Sequence, residues 1–313
     1  MELGLIVSSF IIAVTNLFVF QRVFFNNKII DNINHRSSHK AIATRSGGIA
    51  LATCIFFISS FFYIKQIEIF NFSILIPLNI LLLVGCYDDI YEVDFKLKFI
   101  FQIIAAKILI DNGFIIENLH GMLGINELNR IVAQMLTMFI ILAIINAINF
   151  IDGIDGLALS IVTFFIVLFE LLYIDISGFY YLSIIIIISF LPMYYFNLRG
   201  KNKIFLGDSG SLFLGGLISV YVLHILSNEY LIKPQFDINK LFFVFSILSY
   251  PIIDIIRVVT IRIANKRSPF EADRNHIHHK LLEIFQSHKK VVLSIILFQI
   301  IVFCLIQLVI NII

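Results

Sequence analysis

Residues 130–172 read RIVAQMLTMFIILAIINAINFIDGIDGLALSIVTFFIVLFELL. Two apolar runs flank one polar corner that contains Asn149, Asp152, Gly153, Asp155 and Gly156. As helices rising 1.5 Å per residue, such runs approach the ~30 Å hydrocarbon thickness of a bilayer. A carboxylate costs about 2.5–3.5 kcal/mol near the centre of an inserted helix. Two aspartates directly beside hydrocarbon therefore belong at a helix end and need a reason to be there. The same arrangement recurs at Asp88-Asp89 and at Asp208, each next to an apolar run. The repeated pattern sets the fold class: an all-α polytopic membrane protein, expected as one integral membrane domain over residues 1–313.

Composition supports this. Of the 313 residues, 59% are hydrophobic and 14% charged, against roughly one quarter charged in a soluble domain. Ten spans are expected, at 3–24, 47–64, 71–86, 98–112, 129–147, 157–174, 179–196, 209–227, 239–262 and 290–313. No charged n-region and cleavage site precedes the first run, so it reads as a retained span. Five connecting segments then share one face: 25–46, 87–97, 148–156, 197–208 and 263–289. With the flanking helix ends they hold 18 of the 23 Lys and Arg, and six of the eight His. The positive-inside bias puts these segments in the cytoplasm and both termini outside. All the acidic corners fall on the same side. Cys54, Cys86 and Cys304 lie in or beside apolar runs, with no zinc or disulfide spacing.

Each constellation has a chemical and an ordinary reading. Asp88-Asp89, followed by Lys96, Lys98 and Gln102, suits a hard cation or a split between an ionised carboxylate and a base. Lys96 is the expected phosphate neutraliser. The ordinary reading is a charged helix end with Asp94 and Lys98 as a solvated pair. In Asn146–Ala158, Asn149, Asp152 and Asp155 stand three apart and share a face if helical. Their oxygens suit Mg²⁺ and a nucleobase edge, or merely cap a helix break. The spacing is not that of an EF-hand loop. Phe205–Ser211 places Asp208 at a helix N-terminus, which favours anions and metals, or is a plain N-cap. Arg274, His276, His278 and His279 can donate to a pyrophosphate or act as acid and base. Zinc is disfavoured there because no Cys or acidic ligand has suitable spacing nearby. His35–Lys40 with Gly47-Gly48 forms a basic approach suited to a phosphate-bearing ligand, or anchors to lipid. Asp254 and Arg257, three apart, suit a structural ion pair, and Pro251 predicts a kink.

Taken together and in order, these motifs resemble the polyprenyl-phosphate N-acetylhexosamine-1-phosphate transferase family, glycosyltransferase family 4. Asp31–His39 with Gly47-Gly48 resembles its first loop, Asp88-Asp89 with Lys96 and Gln102 its second. Asn146–Ala158 resembles its third and Phe205–Ser211 its fourth. His276-Ile277-His278-His279 resembles the branch acting on UDP-N-acetylglucosamine. Ile33 and Thr44 stand where the family often has prolines, Ser37 where it has a basic residue, and 197–208 is one residue longer than usual.

The resemblance implies a cytoplasmic-face reaction in the bacterial plasma membrane. A UDP-N-acetylhexosamine donates its sugar 1-phosphate to polyprenyl (undecaprenyl) phosphate, and UMP leaves. It implies Mg²⁺, with Mn²⁺ able to substitute, held by Asn149 and Asp208. Asp155 would read the uracil, with Asp152 and Gly153 beside the nucleotide and Phe205 stacked on the base. Asp88 or Asp89 would orient or deprotonate the lipid phosphate. Lys96, Arg274, His276, His278 and His279 would face the diphosphate, and His39 and Lys40 would bind substrate. Partners are the two substrates and the bilayer, with a homodimer allowed and no nucleic acid. The alternatives are a phospho-MurNAc-pentapeptide transferase, or an ion-coupled transporter with charges at mid-membrane.

Overall fold

The computed structural model describes residues 1–31, 43–227, 230–233, 239–268 and 275–310. Among these, twelve α-helices run in chain order: α1 (Glu2–Asn26), α2 (Gly47–Ile64), α3 (Leu75–Tyr91), α4 (Phe95–Asp111), α5 (Arg130–Ile151), α6 (Leu157–Leu172), α7 (Tyr180–Leu198), α8 (Gly207–Leu226), α9 (Lys240–Ile247), α10 (Ser249–Ala264), α11 (Ile277–Phe285) and α12 (His288–Ile310). The Ile and Phe content would favour strands in water. In hydrocarbon every backbone group must be satisfied within the chain, and the helix does this segment by segment.

Each of the ten expected segments finds helix, but not every helix is a full span. Seven are long and apolar enough to cross a membrane: α1, α2, α3 with the turn before it, α5, α7, α8 and α12. The α9–α10 pair, bent by 80°, makes an eighth if counted as one span. α6 has 16 residues and is short. α4 carries Lys96, Lys98, Lys107 and Asp111 in its 17 residues, which lowers its hydropathy. Apolar side chains such as Phe10 and Ile11 on α1, and Leu297, Ile301 and Leu305 on α12, are exposed, as expected for faces turned to lipid.

The residues form two compact units, whose division falls within α4 and α8. The first comprises Met1–Ala105 and Ile176–Gly216. In it α1 packs on α2 and α7, fixed by hydrogen bonds from Asn16 Nδ2 to Ala50 O (3.3 Å) and Thr53 Oγ1 (3.0 Å). Two short strands, β1 (Ala43–Thr44) and β2 (Lys203–Ile204), pair in parallel, Ala43 opposite Lys203 and Thr44 opposite Ile204. The zipper continues as Phe205 N–H donates to Thr44 O, Gly47 N–H to Phe205 O and Gly48 N–H to Leu206 O. It carries the start of α8 onto the start of α2. A Cβ on Gly48 would lie 2.0 Å from Gly210 N. Gly47-Gly48 thus serves helix packing here, where the sequence suggested an approach for a phosphate.

The second unit comprises Ala106–Asp175 and Leu217–Ile313. α5 packs against α10 and α6, and α12 against α9, α10, α6 and α11. The expected kink is a break at Leu248, with Pro251 in the first turn of α10. Proline has no N–H, so Ile247 O loses its helical donor. Gln299 Nε2 of α12 supplies one at 2.9 Å. Helix α11 lies inside what the sequence presented as a loop.

Candidate functional site

In the first unit, Asp88 and Asp89 close the last turn of α3, and their roles separate. Asp89 accepts from the N–H groups of Asp208 and Ser209, one per oxygen, both at 2.9 Å. It caps the N-terminus of α8, where a negative charge is favoured. Gly207 makes this possible with φ +72°, and a Cβ there would sit 2.6 Å from Asp89 Oδ2. Asp88 uses Oδ1 to accept Val93 N–H at 2.9 Å. Its Oδ2 lies 3.1 Å from Lys98 Nζ, and the same ammonium is 2.8 Å from Asp208 Oδ2. One cation thus bridges carboxylates from two segments. Lys96 is exposed, so the lysine among the carboxylates is the one the sequence suggested as a solvated partner of Asp94.

Nearby, Arg45 pairs with Asp31 at 2.6 Å. Burial works to lower its pKa, but Asp31, helped by Asp89 and Asp208, holds it above its ordinary value. A cavity of about 580 Å³ is lined by Lys28, Asp31, Arg45, Asp89 and Glu92 among others. Phe205 is half-buried and held by its backbone bonds to Thr44 and Gly47. The carboxylate oxygens of Asp88 and Asp208 are of the kind a hard divalent ion takes, but the Lys98 ammonium lies between them, so an ion bridging the pair would have to displace it. Asn149, the other expected metal ligand, belongs to the second unit.

In the second unit, α5 ends at Ile151 and Asp152 follows as its C-cap. The 152–156 corner is a turn, so Asn149, Asp152 and Asp155 do not share one helical face. Asp155 Oδ2 lies 3.0 Å from Nδ1 of His288, the first residue of α12, and Asp155 N is 3.1 Å from the same atom. His288 was not singled out from the sequence, and its tie to Asp155 spans 133 residues.

The histidine segment folds against α10. Asp254 Oδ2 meets His276 Nδ1 at 2.6 Å, and Oδ1 accepts Ile277 N–H at 2.8 Å. The expected Asp254–Arg257 pair is not made: Arg257 donates to Asn275 O at 2.6 Å. Capping the start of α11 satisfies a helix N-terminus, which an i,i+3 pair within α10 would not. His276 Nε2 faces Arg262 Nη2 at 3.3 Å. Both ring nitrogens of His276 are therefore engaged, which removes it as a free acid, base or phosphate donor. His278 is fully buried, and its Nδ1 lies 3.0 Å from Tyr250 Oη. Its Nε2 has no hydrogen-bond partner. It would lie 3.1 Å from a Cβ built on the exposed Gly153, with His279 Nε2 at 3.3 Å. Burial, then His279 and His276, pushes the His278 pKa well down, so its ring is neutral near pH 7.

Asp254, His276 and His278 each bring a ligand atom within 4.8 Å of the others. The acidic member of this cluster comes from α10, not from the histidine segment's own sequence neighbours. The guanidinium against His276 opposes a metal there, because it would place a second positive charge beside the ion. His39, Lys40 and Arg274 lie outside the described residues. The three cysteines are free, with Cys54 buried and Cys304 exposed.

The family model of glycosyl transferase family 4 matches residues 71–226. An undecaprenyl-phosphate alpha-N-acetylglucosaminyl 1-phosphate transferase of Pasteurella multocida is 31% identical over 267 residues, 81% of this chain and 71% of the relative. A probable undecaprenyl-phosphate N-acetylglucosaminyl 1-phosphate transferase of Bacillus subtilis is 30% identical over 303 residues, 93% of this chain and 81% of the relative. A decaprenyl-phosphate N-acetylglucosaminephosphotransferase of Mycobacterium tuberculosis strain H37Rv is 31% identical over 290 residues, 83% and 70% of the two chains. With the family model over residues 71–226 and relatives at least 30% identical over four fifths or more of the sequence, the chain belongs to glycosyl transferase family 4.

Proposed function

We propose that this chain transfers N-acetylglucosamine 1-phosphate from UDP-N-acetylglucosamine to a polyprenyl phosphate and releases UMP. The observation that carries the reading is the Lys98 ammonium held between Asp88 and Asp208. Phosphoryl transfer needs charge neutralisation and alignment more than covalent chemistry, and this cluster supplies both signs of charge at one point. The named activities of the relatives support the same substrates.

An oxygen of the lipid phosphate attacks the β-phosphorus of the donor. The bond from that phosphorus to the bridging oxygen breaks, and UMP carries the electron pair away. Any proton left on the acceptor passes to Asp88, whose partner Asp89 is committed to capping α8. Lys98 neutralises phosphate oxygens. Mg²⁺, or Mn²⁺ in its place, with Asp208 as a ligand would supply Lewis-acid stabilisation of the charged oxygens. Asp155, oriented by His288, reads the uracil. We propose a ten-span topology with the polar segments cytoplasmic and both termini outside, on the strength of the Lys and Arg bias.

Purified protein with UDP-N-acetylglucosamine, undecaprenyl phosphate and Mg²⁺ should release UMP. Asp208→Asn and Lys98→Met should each lower the rate at least about a hundredfold, and Lys96→Met should lower it far less. Full activity in Asp208→Asn would remove the cation assignment. UMP release with UDP-N-acetylgalactosamine and none with UDP-N-acetylglucosamine would replace the sugar.

A further inference from the structure

Two buried charged groups beside the histidine segment have no place in the reaction as written. Asp254 is 1% exposed and Arg262 1% exposed. A buried carboxylate and a buried guanidinium are costly unless their bonds are made. Here Asp254 spends one oxygen on Ile277 N–H and the other on His276 Nδ1. Arg262 Nη2 approaches His276 Nε2 at 3.3 Å, and its guanidinium carbon lies 5.5 Å from the centre of the Phe150 ring.

The chemistry of these donors assigns the proton on His276. A guanidinium has donors only, so Nε2 must offer its lone pair and carry no hydrogen. The one ring proton is then on Nδ1 and is donated to Asp254. The imidazole is fixed in position and in tautomer from both sides. His276 is also the N-cap residue of α11, and Asp254 holds the first N–H of that helix. His278 and His279, one turn or less away, inherit this placement. The His276 and His278 rings stack at 5.3 Å, and His279 lies 4.3 Å from His278. The rings of His278 and His279 stand against Gly153.

We propose that Asp254 and Arg262 are positioning residues for the transfer: they clamp His276 with its proton on Nδ1, and so aim His278 and His279 at the Asp152–Asp155 corner. The clamp itself is independent of substrate; its effect on rate rests on the function proposed above. Asp254→Asn keeps the volume but turns one acceptor into a donor that faces an N–H. It therefore cannot accept both bonds.

The test uses the full chain in detergent, labelled with ¹⁵N-histidine. Wild type should show His276 protonated on Nδ1 and bare on Nε2. Asp254→Asn should show mixed tautomers at His276. Its kcat/KM for UDP-N-acetylglucosamine should fall about tenfold to a hundredfold, with KM for undecaprenyl phosphate unchanged. If Asp254→Asn does not fold, Arg262→Met carries the same test, since it removes the donor that keeps His276 Nε2 bare. A wild-type spectrum with the proton on Nε2 overturns the proposal. So does a variant with mixed tautomers and wild-type kcat/KM. Wild type with the expected spectrum but no UMP release supports the clamp and overturns the function instead.

Discussion

Lys96 and Lys98 show where a residue's identity stops being informative. Two positions apart on α4, they point to opposite sides of its surface. Only Lys98 reaches Asp88 and Asp208, and nothing in the local sequence ranks one above the other. Asp88-Asp89 was legible as a special pair, but the division of labour within it was not. That division depends on backbone N–H groups of Asp208 and Ser209, about 120 residues away. His278 carries a prediction that its surroundings make specific. Its folded pKa is lowered by burial first, then by His279 and His276. The unfolded chain therefore takes up this proton first as pH falls below about 6.5, and stability drops with it. The contribution is fully present above that pH, and each unit below it costs up to about 1.4 kcal/mol. Between about pH 7.5 and pH 5.5 the melting temperature of wild type in detergent should fall relative to that of His278→Gln. An equal fall in the variant would mean that His278 is not the group responsible.

At the level of elements, the apolar runs and their polar ends located the helices, because hydrocarbon leaves the backbone little else to do. The exceptions follow from distant partners. The break between α9 and α10 is sharper than one proline requires, and Gln299 on α12 satisfies the carbonyl that Pro251 leaves open. Helix α11 forms where the sequence suggested a loop, with its first N–H capped by Asp254. The start of α2 meets the start of α8 with no room for a side chain at Gly48. Gly48→Ala should therefore destabilise by about 1–3 kcal/mol or more, the cost of forcing atoms into a packed contact. Gly4→Ala, with nothing within 4 Å of the new Cβ, is the control and should be neutral or slightly stabilising. Equal melting temperatures for the two variants would contradict the close approach of α2 and α8.

For the molecule as a whole, the charge bias makes a prediction about sidedness. In a variant lacking its three cysteines, Gln66→Cys should react with an impermeant thiol reagent in intact cells. Lys201→Cys should react only after the membrane is opened. Both positions are exposed, so burial does not decide the outcome, and the reverse pattern would invert the topology. Composition, the apolar runs and the order of the motifs were enough to establish an all-α membrane protein with the motif pattern of a phosphosugar transferase. These properties are one-dimensional: segment length, polarity and spacing are set by the bilayer and survive being read along a line. Which lysine meets the carboxylates, which aspartate caps α8, and how His276 is held were settled by folding alone. Each depends on a hydrogen bond a few ångströms long between segments 10 to 120 residues apart, and a sequence pattern carries no record of such distances.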